Sequence, residues 1–170
     1  MYRSWGIDYD FHGVDVYATL DSLVYSLEKK DITYYLGGGS ALGAARRSGI
    51  LKGDKDVDIF VAGAAPRDIE DAIWGFDWDY TDFGYHIHLQ KTNFYFDIWV
   101  MQEKHGKLVC TGAHGKCHLW EEKFNWPVVV PINMVLPPHK HAFGTYMFNF
   151  PYDTYAYLDH EFPDWQNKCG

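Results

Sequence analysis

Apolar side chains recur at Val16, Leu20, Leu23, Val24 and Leu27, steps of four, three, one and three that lay a stripe along one face of a helix. Asp15 stands where its carboxylate can cap that helix. From Ile32 to Leu36 the residues favour a strand, which stops at Gly37-Gly38-Gly39; Ser40 then opens an alanine-rich stretch to about Gly49, predicted as a short helix. Val57, Ile59 and Val61 alternate with Asp56, Asp58 and Phe60, the period of a strand, and a proline-initiated helix is expected from Pro66 to Trp74. Tyr85 to Gln90 and Phe94 to Met101 flank Lys91-Thr92-Asn93, a linker of hairpin length. A short strand is expected after the His105-Gly106 turn, then an extended stretch from Val128 to Leu136 broken by Pro127, Pro131 and Pro137, and a last helix capped by Asp153 and running through Glu161. The chain shows no repeat or linker, which predicts a single domain over residues 1–170: an α/β (α+β) fold, with helices packed on a mixed β-sheet.

A chain of 170 residues is long enough for one core, and 47% apolar with 22% charged residues excludes a disordered, collagen-like or coiled-coil chain. The formal charge of -8, with no basic run longer than Lys29-Lys30 or Arg46-Arg47, argues against nucleic acid as a partner. Met1 to Asp10 lacks the apolar core of a secretory signal, and no stretch is apolar enough for a membrane span. The sequence therefore reads as soluble, cytoplasmic if it is the whole protein and lumenal in the secretory pathway if it is a trimmed piece. Aromatic residues at 18% imply an aromatic core or, alternatively, platforms for sugar stacking.

Chemistry concentrates in three segments: Gly37-Gly38-Gly39-Ser40, then Asp54-Lys55-Asp56-Val57-Asp58, then Asp97 between Phe96 and Ile98. In an extended strand Asp54, Asp56 and Asp58 project to one side, successive carboxylates roughly 7 Å apart. Asp97 sits in a strand apolar on nearly every side chain, and a buried charge needs a partner. Because these strands carry no Lys or Arg run, the economical counter-ion is a hard divalent cation, Mg²⁺ or Mn²⁺, held by Asp56, Asp58 and Asp97 and leaving coordination sites for phosphate. Gly38, Gly39 and Ser40 are the expected nucleotide-binding turn, since glycines admit a phosphate close to the backbone and a helix start offers N–H groups. The acidic triplet alone also fits a solvated edge strand; a calcium loop fails, because Val57 to Arg67 lacks the required glycine and distal Glu.

Secondary candidates are less constrained. Arg46, ahead of Arg47, suits a donor diphosphate or simply complements the helix end. His86 and His88 share a face of the hairpin, beside Asp97 or in a structural role. Asp54 is an alternative ligand or an orienting group. His105, Cys110, His114, Cys117 and His118 offer a Cys/His shell for Zn²⁺, although the spacing matches no standard finger and a glycine-rich loop with incidental thiols explains them equally. Asp77, Asp79 and Asp82 read as a solvated loop.

The segment from Tyr35-Leu36-Gly37-Gly38-Gly39-Ser40-Ala41-Leu42-Gly43-Ala44-Ala45-Arg46 through Gly49-Ile50 to Asp54-Lys55-Asp56-Val57-Asp58-Ile59 resembles the signature of the LicD family, which includes fukutin and fukutin-related protein. Phe150-Pro151-Tyr152-Asp153, Tyr157-Leu158 and Phe162-Pro163-Asp164-Trp165 resemble its closing segment, with Phe162-Pro163 where Tyr-Gly is common. The resemblance implies a nucleotidyltransferase-like fold whose Gly-Ser turn, acid pair and later strand acid fall at Gly39-Ser40, Asp56-Val57-Asp58 and Asp97. It implies transfer of a phospho-alcohol, such as phosphocholine or ribitol phosphate, from a CDP-alcohol donor to a glycan or glycoconjugate acceptor. Transfer of NMP from an NTP and an inactive glycan-binding module are the alternatives.

Overall fold

The computed structural model describes residues 10–11 and 14–167; Cys169 and the lead-in through Tyr9 lie outside the described residues. A two-residue pair, β1 (Asp10–Phe11) with β2 (Val14–Asp15), leads into α1 (Val16–Lys29). The Asp15 carboxylate accepts the Ala18 N–H at 3.1 Å, and every residue of the predicted stripe is buried. Next come β3 (Thr33–Gly37), α2 (Gly38–Arg47), β4 (Asp56–Ala62), α3 (Pro66–Ala72), β5 (Trp78–Tyr80), β6 (Gly84–His88), β7 (Tyr95–Lys104) and β8 (Lys107–Cys110). The chain closes through α4 (Cys117–Phe124), β9 (Val129–Pro131), α5 (Ile132–Val135), the hairpin β10 (His139–Phe143) and β11 (Tyr146–Phe150), and α6 (Thr154–Glu161).

Five strands line up as β3-β4-β7-β6-β5, and β8 and β9 extend the sheet from the far half of β7. β4 and β7 run parallel; the other pairs are antiparallel. Since side chains alternate across a strand, this register sorts the residues by face. Val57, Ile59 and Val61 of β4 share one face with Phe96, Ile98 and Val100 of β7, all fully buried. α3 seals that face, the Tyr85 hydroxyl donating to Glu70 at 2.6 Å. The opposite face carries Asp56, Asp58 and Phe60 beside Tyr95, Asp97 and Trp99.

Three expectations change. The stretch from Val128 to Leu136 is extended only over β9; Pro131, which has no N–H for a ladder, ends the strand and caps the helical turn α5. The segment around Asp77 and Asp79 is the edge strand β5 rather than a loop, paired to β6 through Trp78↔Ile87. The hairpin β10–β11 and the helix α4 are additions to the predicted elements.

α2 starts at Gly38 and crosses the chain that follows it so closely that a Cβ on Gly43 would lie 2.3 Å from the Gly49 carbonyl oxygen. Alanine gains about 1 kcal/mol of helix propensity, but a clash against fixed backbone costs roughly 1–3 kcal/mol and more when neither side can move. Gly43→Ala is therefore expected to destabilise the fold by about 2 kcal/mol, seen as a lower urea midpoint at unchanged m-value.

Candidate active site

The sheet register builds the site. Gly37, Asp58, Asp97 and His86 are successive partners across β3, β4, β7 and β6, one row on one face. The row beneath is Tyr35, Phe60, Trp99 and Gly84; Tyr35 stacks on Phe60 with centroids 5.2 Å apart, and Phe60 on Trp99 at 5.6 Å. A line of carboxylates thus rests on a shelf of aromatic rings. Asp56, one row above, stands at the exposed rim.

Asp56, Asp58 and Asp97 each offer an oxygen, all within 4.8 Å of one another. Among the described residues they are the one group of three or more His, Cys, Asp or Glu side chains that can share an ion. All-oxygen donors at this spacing fit a hard divalent cation, so the residues present suit Mg²⁺ or Mn²⁺. Removal from water pushes the Asp58 carboxyl well above its ordinary value, and repulsion from Asp56 and Asp97 adds to this against the indole N–H of Trp99, which donates to Asp58 at 3.0 Å. Burial also raises Asp97, opposed by His86, whose Nδ1 lies 2.5 Å from Oδ1 and whose ring stacks on Tyr95. Asp56 and Asp54 are raised by burial too, Asp54 further by Asp56. Several carboxylates that resist ionising together form a site that holds excess negative potential.

The glycine turn abuts this cluster. Gly38 has φ +56°, and a Cβ there would lie 2.7 Å from Oδ2 of Asp58. Its N–H donates to the hydroxyl of buried Tyr157 at 2.8 Å, and burial keeps that phenol protonated. Asp54 lies beyond the end of β4, against Gly39. Ser40 is buried inside α2, and its hydroxyl oxygen accepts the Asp58 N–H at 3.1 Å, which pins the helix to β4.

Gly38, Gly39 and the three aspartates line a cavity of about 360 Å³ whose other walls include Phe83, Trp99, Trp120 and Trp126. Arg46 is not in it. It lies seven residues along α2 from Gly39, about 10 Å at 1.5 Å per residue, and its guanidinium donates to the Trp165 carbonyl at 2.7 Å. His88 bonds to the Thr92 carbonyl at 2.9 Å within its own hairpin. The aromatic walls and Glu161 are additions to the expected site; Trp120 lies within α4 and Trp126 two residues past its end, in a stretch whose Cys and His residues are its more conspicuous chemistry.

Cys110 and Cys117 form a disulfide, which ties the end of β8 to the start of α4. This overturns both the Zn²⁺ shell and the incidental free thiols, because bonded sulfurs supply no thiolate. His114 instead packs against Tyr80, with ring centroids 4.6 Å apart and the planes tilted at 59°.

A family model described as LicD/FKTN/FKRP, nucleotidyltransferase domain, matches residues 31–153. Among solved structures, the crystal structure of ANT(2")-Ia in complex with adenylyl-2"-tobramycin aligns at 12% identity and TM-score 0.54, over 86% of this chain and 77% of that one. The solution structure of the antibiotic-resistance factor ANT(2'')-Ia aligns at 12% and 0.55, over 86% and 73%. The lincomycin-bound lincosamide antibiotic adenylyltransferase LnuA gives 12% and 0.50, over 78% and 77%. At that identity the likeness is one of fold: a nucleotidyltransferase-type mixed sheet with helices. No curated protein sequence matches the chain. No helix among the described residues is long and apolar enough to cross a membrane.

Proposed function

The chain belongs to the LicD/FKTN/FKRP family, and from that premise we propose that it transfers a phospho-alcohol from a CDP-alcohol to a hydroxyl of a glycan or glycoconjugate. The observation that carries this reading is the Asp56, Asp58 and Asp97 cluster set against the Gly38-Gly39 turn at the mouth of an aromatic cavity. Mg²⁺ or Mn²⁺ held by the three carboxylates would neutralise the donor diphosphate and polarise its P–O bonds. The glycines give that diphosphate room beside the backbone, and Ser40 holds the turn and Asp58 in register. The acceptor oxygen bonds to the phosphorus that carries the alcohol, the bridging P–O bond breaks, and CMP leaves. The acceptor proton passes to a carboxylate, a role we assign to Asp97, which the contact with His86 orients.

Transfer of NMP from an NTP uses the same carboxylates, and the fold likeness to adenylyltransferases favours it as the second reading. The protein with Mn²⁺ is given CDP-choline, CDP-ribitol, CTP or ATP, each with a mixed glycan preparation. Release of CMP with a phospho-alcohol on the glycan is the expected result; pyrophosphate release supports the second reading, and no turnover of any donor overturns both. The disulfide also favours an oxidising compartment for this protein, the secretory lumen rather than the cytoplasm.

The raised carboxyls set a pH dependence. Above the ordinary Asp value of 3.8 the unfolded chain loses protons that Asp58 and Asp97 retain when folded. The folded state then binds more protons, so stability falls as pH rises through that window and levels off above the folded values. The metal-free protein is expected to melt at a lower temperature at pH 7.5 than at pH 5.5, and added Mn²⁺ to raise the Tm more at the higher pH. Calorimetry in EDTA and in Mn²⁺ checks both.

A further inference from the structure

The wall of the acidic cavity carries no Lys, Arg or His. Of its indole N–H groups, that of Trp99 already donates to Asp58 and that of Trp126 to Glu161. Among the neutral side chains of the wall two donors remain, the indole of Trp120 and the phenol of Tyr157, and it is Tyr157 that stands against the glycine turn. α6 holds this side chain at 2% exposure, its ring edge-on to Tyr35 and its oxygen accepting the Gly38 N–H at 2.8 Å. A phenol has one hydrogen to give besides the lone pairs it offers. Among the described residues no acceptor takes that hydrogen: Asp58 and Tyr35 act on the phenol through space, and Glu161, one turn along α6, is engaged with His160 and Trp126.

A buried donor without an acceptor costs stability, so its place here points to an acceptor that arrives with the ligand. The surroundings narrow the choice. A Lys or Arg at this position would pair with Asp58 or Asp97 and compete with the cation, whereas a phenol gives a hydrogen without adding charge. The Gly38 N–H polarises the phenol oxygen, which strengthens the O–H as a donor. What a cation draws to the glycine turn is a diphosphate, rich in charged acceptor oxygens, and hydrogen bonds to such oxygens are among the strong ones.

We propose that Tyr157 contacts the substrate, its O–H donating to a phosphate oxygen of the donor diphosphate while its oxygen holds the Gly38 N–H. The proposal rests on the transferase reading above. In titration calorimetry of the full chain, Tyr157→Phe should bind CDP at saturating Mn²⁺ about tenfold or more weakly, the worth of one hydrogen bond to a charged group, and its kcat/KM should fall at least as far. Its affinity for Mn²⁺ without nucleotide should stay within about twofold. That comparison separates a contact with phosphate from mere support of the turn, because a turn that shifts takes Asp58 and the metal with it. A crystal of the wild type with CDP and Mn²⁺ reads the contact without a variant, the phenol oxygen lying within about 3 Å of a phosphate oxygen. An unchanged CDP affinity, a loss of CDP only in step with Mn²⁺, or a phenol oxygen more than about 3.5 Å from every phosphate oxygen overturns the proposal and leaves the transferase reading standing. If the wild type binds Mn²⁺ but not CDP, both fall.

Discussion

Asp58→Asn is expected to abolish donor turnover while raising the melting temperature of the metal-free protein. Asp58 pairs in register with Asp97, accepts the Trp99 indole N–H, and presses against Gly38. Asparagine keeps the shape and can still accept that hydrogen bond, so the fold is retained. It loses the charge that burial and two neighbouring carboxylates make costly at neutral pH. The same charge is what a divalent cation requires of a ligand. Several kcal/mol of transition-state stabilisation disappear with it, roughly a 10³-fold loss in kcat/KM at 1.36 kcal/mol per decade. The paired measurements are donor turnover in Mn²⁺ and calorimetry in EDTA. A variant that turns over near the wild-type rate contradicts the assignment, and one that melts lower in EDTA contradicts the electrostatics. A gain in stability with a loss of activity is the signature of a site strained for function.

How much of this was legible beforehand depended on the range of the information. The α1 stripe and its Asp15 cap are local, and they appear where the periodicity put them. The acid pair on β4 was readable because a strand's alternation fixes which side chains share a face. That Asp97 lies directly beside Asp58 was not, since the parallel pairing of β4 with β7 joins residues separated by α3, β5 and β6. No periodicity in either strand encodes that neighbour; the need of a buried carboxylate for a counter-ion and the family resemblance were what linked them. The β10–β11 hairpin was hidden because His139, Lys140 and His141 blur the alternation of Phe143, Phe148 and Phe150. Gly144 at its turn, with φ +64°, was the signal available. The Cys110–Cys117 pair shows a different limit: two thiols seven residues apart are equally consistent with a ligand pair and a bond until the backbone brings them together.

The glycines of α2 offer the second severe test, because Gly38, Gly39 and Gly43 meet different obstacles. Gly38→Ala should cut kcat/KM by about 10²-fold or more, the loss attached to displacing a reacting geometry by an ångström. The new Cβ would lie 2.7 Å from Oδ2 of Asp58, and at φ +56° an L-residue adds about 1–2 kcal/mol of backbone strain. The carboxylate must swing away, taking with it a ligand oxygen and the Trp99 hydrogen bond. Mn²⁺ affinity should therefore fall together with turnover, as read by titration calorimetry on the folded protein. Gly39→Ala meets only the far end of Asp54, at 3.3 Å, and should leave the Mn²⁺ affinity nearly unchanged, while turnover falls because the new methyl takes room from the donor diphosphate. Gly43→Ala, obstructed by the Gly49 backbone, should lose stability yet keep the Mn²⁺ affinity of its folded fraction. If Gly38→Ala instead behaved like Gly43→Ala, less stable but equally avid for Mn²⁺, the turn would be no more than a tight corner between β3 and α2. If it loses the metal as well, the glycine is there to leave Asp58 its place in the cluster.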